Sequence, residues 1–110
     1  MNSAKKARLE GAGWKVGSAA AFLGLNKQET AFVEMKLAVA RCLHALRIRR
    51  TLSQSRVAEL VGSSPSRVAK LESGDRSVSI DLLLRSVLAI GGSPATVVRA
   101  LASRKKLTPV

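Results

Sequence analysis

Residues 54–71 read QSRVAELVGSSPSRVAKL, and ESG follows at 72–74. Two short helices joined by a tight turn account for the order of residue types. The first helix is expected over Gln54–Val61. Gly62 takes the positive φ of the turn with no Cβ penalty. Ser64 is a good N-cap, and Pro65 suits the first helical position, where its missing N–H would have no partner anyway. Ala58 is small where two helices must cross closely. Val57, Val61, Val68 and Leu71 fall on the inward faces, which leaves Pro65, Ser66, Arg67 and Lys70 facing outward.

Such a pair is a helix-turn-helix, whose second helix can lie in the major groove of DNA with the side chains near its N-terminus at base edges. Charge agrees with that use. The chain of 110 residues has 19 Lys plus Arg against 7 Asp plus Glu, a formal net charge of +12. The excess calls for an anionic partner, with nucleic acid the leading candidate. It is spread along the chain, so no single polybasic tail accounts for it. The length suits one small domain of four or five helices. A Leu-, Val- and Ala-rich make-up with only 3 Pro argues for an all-α fold.

Cys42 is the only cysteine, which rules out an intrachain disulfide and is compatible with a reducing cytosol. The longest apolar runs fall far short of a membrane span. Lys5, Lys6 and Arg8 are followed by Glu10, two glycines and Lys15, so the start does not read as a signal peptide. The expected location is the cytoplasm, with no membrane partner. There is no Ser–His–Asp set, glycine-rich phosphate loop or metal cluster, so neither catalysis nor a cofactor or metal is expected. His44 reads as an ordinary packed or surface histidine and Cys42 as a small core residue.

Outward from the motif, Asn26 and Glu29 form a capping-box pair. No breaker follows until about Arg50, giving a rod of about 36 Å at 1.5 Å per residue. Phe32, Met35, Val39, Cys42 and Leu46 form one apolar stripe on it, assigned to the core. Val33, Leu37, Ala40, His44 and Ile48 form a weaker second one, open to an N-terminal arm or a partner chain. Ser53 caps the next helix, and Leu52 can staple to Val57. Ser79, with Asp81 in the first turn, starts a helix over Ile80–Ile90 that is apolar on most sides. Gly91 and Gly92 end it. Ser93-Pro94 starts a last helix to about Ser103. Before the long helix, Lys5–Glu10 and Ser18–Leu23 are short helical candidates. The expected division is an extension over 1–25, the helix-turn-helix domain over 26–103 with its motif at 54–74, and a basic tail over 104–110.

The set Leu52-Ser53-Gln54, Val57-Ala58, Val61-Gly62, Ser66-Arg67-Val68 and Leu71-Glu72-Ser73-Gly74 resembles the Xre/Cro-type helix-turn-helix regulators, the family of the lambdoid phage repressors. The resemblance covers about Glu34 to Leu101. It implies a five-helix lambda-repressor-like domain, here with a short helical N-terminal extension, that binds double-stranded DNA as a homodimer. It implies that Gln54 donates to a DNA phosphate and braces the recognition helix. Pro65, Ser66 and Lys70 would face base edges, and Arg67 would grip phosphate. Ser64, Ser73 and Arg56 complete the expected interface, while Arg49 and Arg50 are either phosphate-facing or solvated. Arg47 and Glu72 match a buried ion pair. Pro65 departs from the family, where a polar base-reading residue is common, so apolar contact with a thymine methyl is the reading there.

The function expected is a transcriptional repressor that occludes a promoter, dimerising through an apolar surface such as Leu82–Ile90 or Val97, Val98 and Leu101. The stretch around Gly13-Trp14-Lys15-Val16-Gly17 and Phe22–Leu25 looks like a subfamily of small Xre-type proteins that includes antitoxins. The alternative is therefore an antitoxin that binds a small toxin and represses its own operon. A third reading is an adaptor whose helix-turn-helix no longer binds DNA.

Overall fold

The computed structural model describes residues 24–107, which carry five α-helices and, among those residues, no strand. The helices are α1 (Lys27–Arg49), α2 (Gln54–Val61), α3 (Pro65–Ser73), α4 (Ile80–Ala89) and α5 (Pro94–Ala102). This is the expected all-α, five-helix architecture. The helical candidates at 5–10 and 18–23 lie outside the described residues. Met35–Arg104 forms one compact unit, and described residues 24–34 and 105–107 belong to a second.

Local chemistry sets the helix starts. The Asn26 side chain accepts from the Glu29 N–H at 2.8 Å, and Glu29 Oε1 accepts from the Asn26 N–H at 3.2 Å. Ser53, Ser64, Ser79 and Ser93 cap the next four helices, each accepting from the backbone N–H three residues on. Each pairing satisfies one of the donors that a helix start leaves without an intrahelical partner. Pro65 and Pro94 follow two of these caps, where no N–H is needed.

The ends of α2 and α3 are built alike. Gly62 (φ 69°) and Gly74 (φ 68°) adopt the left-handed conformation. The next N–H in each case, from Ser63 and Asp75, returns to the carbonyls of Ala58 and Lys70 at 2.8 and 3.0 Å. This closes the turn that an L-residue with a Cβ would strain. The end of α1 has the same form without a glycine. Thr51, at φ 56°, takes the left-handed position, and the Leu52 N–H returns to the Arg47 carbonyl at 3.0 Å.

The core of the Met35–Arg104 unit joins Val39, Ala40, Leu43 and Leu46 of α1 with Val57 and Ala58, Val68 and Leu71, Val78, and Leu83, Val87 and Ile90. Helix α2 packs on α3 and α4, and α4 on α5. Leu52, Val61, Leu82, Leu84, Val97 and Leu101 lie half-buried around this cluster, as does Cys42. Two assignments need correction. Phe32 and Met35 are exposed, and Leu43, which belongs to neither expected stripe, is fully buried. Helix α1 is apolar around much of its circumference, so spacing along one side does not fix the buried side; the neighbouring helices do. Ile48 and Val98 are likewise exposed, the latter at 64%.

One buried charge ties three helices together. The Glu72 side chain on α3 is 7% exposed and that of Arg47 on α1 is 12% exposed. Arg47 grips Glu72 in a fork, Nε to Oε2 and Nη2 to Oε1, the latter at 3.0 Å. Its Nη1 donates to the Leu52 carbonyl at 3.0 Å, at the turn into α2. Glu72 Oε1 also accepts from Gln54 Nε2 of α2 at 3.3 Å and pairs with His44 Nδ1 of α1 at 2.9 Å. Burial works to raise the Glu72 pKa, but hydrogen bonds from Arg47, His44 and Gln54, with the Arg47 charge, outweigh it and hold the carboxyl below the usual glutamate range.

A group whose pKa is depressed by folding contributes stability above its unfolded value, about 4.3 for glutamate, and that stability is lost as pH falls through the folded value. Glu72→Ala strands the Arg47 guanidinium in a largely buried site and is expected to cost about 3–5 kcal/mol in urea unfolding at pH 7. In Glu72→Gln the loss of stability on acidification below about pH 4.3 should be shallower than in the native chain. Equal acid sensitivity in the two proteins would count against Glu72 as a source of it. Thr51→Gly removes a β-branched residue from the left-handed region. It is expected to raise stability by about 0.5–1 kcal/mol, read as a higher urea midpoint with unchanged slope.

Candidate nucleic-acid interface

Helix α3 is two-sided for a simple reason. Val68 and Leu71 enter the core and Glu72 turns inward to Arg47, so the remaining side chains are left outside. Pro65, Ser66, Arg67, Lys70 and Ser73 are all exposed, as is Ser64 before them. Ser64 Oγ accepts from the Arg67 N–H at 3.2 Å and lies 3.2 Å from Ser66 Oγ. Those two hydroxyls are therefore held close together at the start of the helix. Ser73 Oγ donates to the Lys70 carbonyl at 3.0 Å, which engages its proton in the last turn. Arg67 and Lys70 form no ion pair among the described residues. The first two turns of α3, with its cap, thus present two cations and two hydroxyls, all exposed.

Helix α2 brings the next members. Gln54 occupies its first position, half-buried, with one amide proton turned to Glu72. The second proton on Nε2 remains for another acceptor. Ser53 caps only the Arg56 N–H, so the amides of the first two positions of α2 have no intrahelical partner. Arg56 is exposed and pairs with Glu59 at 2.8 Å, a surface pair of the kind that contributes little and is readily exchanged. Arg50 donates to the Gly91 carbonyl at 3.1 Å, which attaches the end of α1 to the end of α4. Arg49 is exposed.

Three features differ from the sequence reading or were absent from it. His44 belongs to the Glu72 network; the clue was its position three residues before Arg47, on one face of a helix. The Ser77 side chain and then the Ser77 N–H, the latter donating at 2.8 Å, lower the Asp75 pKa, with help from the charges of Lys70 and Lys36. Its charge lies one residue beyond the end turn of α3. Cys42 is only half-buried; burial pushes its thiol up, against the pull of Arg49 and Arg99.

A separate apolar groove of about 300 Å³ is lined by Leu84 and Leu88 of α4 with Pro94, Val97 and Val98 of α5. Leu88 is 50% exposed there. Among the described residues no cluster of His, Cys, Asp or Glu could hold a metal ion. No described helix is long and apolar enough to cross a membrane.

Comparison with protein families matches residues 43–97, half of the chain, to the helix-turn-helix family. The matched span runs from Leu43 in α1 to Val97 in α5 and so includes the whole of α2, α3 and α4. No match was found among the curated proteins compared. The matched span, the glycine turn between two capped helices and the cationic outer face of the second together place this chain in the Xre/lambda-repressor-like helix-turn-helix family of DNA-binding transcription regulators.

Proposed function

We propose that the chain is a sequence-specific repressor that binds double-stranded DNA as a homodimer and acts on the promoter of its own gene, in the cytoplasm. The observation that carries this reading is the outer face of α3, where Pro65, Ser66, Arg67 and Lys70 are exposed together while Glu72, the helix's one acidic residue, is withdrawn into the fold. Lys70 and Ser66 are the base-reading side chains, and Pro65 meets a thymine methyl. Arg67, Gln54 and Arg56 hold phosphate, and Ser64 and Ser73 shape the two ends of the face. The domain over 26–103 reads DNA; the extension over 1–25 and the basic tail over 104–110 lie to either side of it.

A nine-residue recognition helix makes few base contacts, so affinity comes from two copies on half-sites roughly 34–36 Å apart. The groove of Leu84, Leu88, Pro94, Val97 and Val98 is the surface that suits a second copy. Repression is preferred to activation because a domain of this size gains its effect by occupying a promoter. It is also preferred to the antitoxin reading. Of the second apolar stripe on α1, which a toxin could cover, Ala40 is buried, Val33 and Leu37 are half-buried, Leu37 against Gly74, and the two exposed members are Ile48 and the polar His44.

Titration of a labelled duplex carrying the DNA upstream of the gene, against a random duplex at two salt concentrations, tests the reading. Tight, selective and salt-sensitive binding is expected. Lys70→Ala should lose about 1–3 kcal/mol of discrimination at one base pair, whereas Arg67→Ala should weaken both duplexes alike and lower the salt slope by about one. Native-like binding by both variants would mean that α3 does not read DNA. For the dimer, Val98→Asp places a charge on the apolar groove. It should yield a monomer in sedimentation equilibrium, with weaker duplex binding and an intact helical spectrum.

A further inference from the structure

Glu72 Oε1 is oversubscribed. His44 Nδ1 lies 2.9 Å from it, Arg47 Nη2 3.0 Å and Gln54 Nε2 3.3 Å, while Oε2 is occupied by Arg47 Nε. A carboxylate oxygen offers about two lone-pair directions, so three donors compete for it. Gln54 holds the longest bond and the other two donors already satisfy the oxygen. Arg47 cannot leave, because its guanidinium is also fixed to the Leu52 carbonyl and sits in a largely buried site. His44 is 54% exposed, and its partner is a carboxylate, so Nδ1 carries the proton.

Resting on the DNA-binding reading above, we infer that His44 is a positioning residue of the interface: by occupying Glu72 Oε1 it keeps the Gln54 carboxamide weakly held and free to turn to a DNA phosphate. With His44 in place, Gln54 can leave Glu72 without stranding a buried charge. Without it, Oε1 has one strong donor fewer, Gln54 is drawn inward to replace it, and the phosphate contact must compete with a shorter internal bond. His44 acts through Glu72 and Gln54, and its own side chain need not touch DNA.

The test compares wild type, His44→Ala, His44→Asn and Gln54→Ala, with the double variant His44→Ala/Gln54→Ala. Asparagine places an amide N–H close to where the imidazole Nδ1–H stands. Affinity for the upstream duplex is expected to fall about two- to tenfold in His44→Ala, the range of one hydrogen bond. It should return in His44→Asn, and in the Gln54→Ala background the loss of His44 should change nothing further. The salt slope should match wild type in His44→Ala.

In the free protein, the nitrogen-15 spectrum should show the Gln54 carboxamide protons shifted toward stronger hydrogen bonding in His44→Ala and restored in His44→Asn. Unchanged affinity in His44→Ala, failure of asparagine to rescue, or additive losses in the double variant would each overturn the assignment. If wild type binds neither duplex at low salt, the DNA reading fails, and the Gln54 signals still decide whether His44 governs that side chain.

Discussion

A carboxylate taken out of water must be met by donors, and in this domain the requirement falls on Glu72 of the recognition helix. Helix α1 supplies Arg47 and His44, and α2 supplies Gln54. Arg47 reaches onward to the Leu52 carbonyl, so the turn between α1 and α2 is held by the same group. These bonds are directional and the fork between guanidinium and carboxylate is the most restrictive of them. The apolar cluster of Val57, Val68, Leu71 and Leu83 drives the helices together, but contact area alone tolerates rotation about a helix axis. Glu72 removes that freedom and so decides which side of α3 faces out.

The same inward turn has an electrostatic result. The chain has seven acidic residues, and the one on α3 is spent against an internal arginine. What α3 shows outside is Arg67 and Lys70 among serines. Had Glu72 lain on the outer face, it would have repelled the phosphates that those cations are proposed to attract. Folding thus sorts the charges of one short helix by sign, using the fixed position of a single arginine on another.

Much of this was legible beforehand because it depends on near neighbours. Caps at Ser53, Ser64, Ser79 and Ser93 and the turn at Gly62 depend on residues within five positions, and the helix bounds follow from them. The Arg47–Glu72 pair came from the family resemblance. What was not legible depends on distant cover. Leu43 was missed because α1 is apolar on several sides and only its partners select the buried one. His44 is 28 residues from Glu72, and its place three residues before Arg47 was too slight a local hint to announce the meeting. Thr51 gave no sign that it would take a position usually filled by glycine.

The recognition helix has nine residues, hence a length of about 13.5 Å at 1.5 Å per residue. Against a rise of about 3.4 Å per base pair it lies along roughly four base pairs. Four positions fully read distinguish one address in about 256, far fewer than the roughly 10⁶ or more competing sites that a genome offers. Two such helices held at a fixed separation square that number and add the spacing itself as a further digit. In the proposed homodimer, the shortness of α3 would therefore make the rigid relation between two copies a carrier of information in its own right, as much as any side chain on its surface.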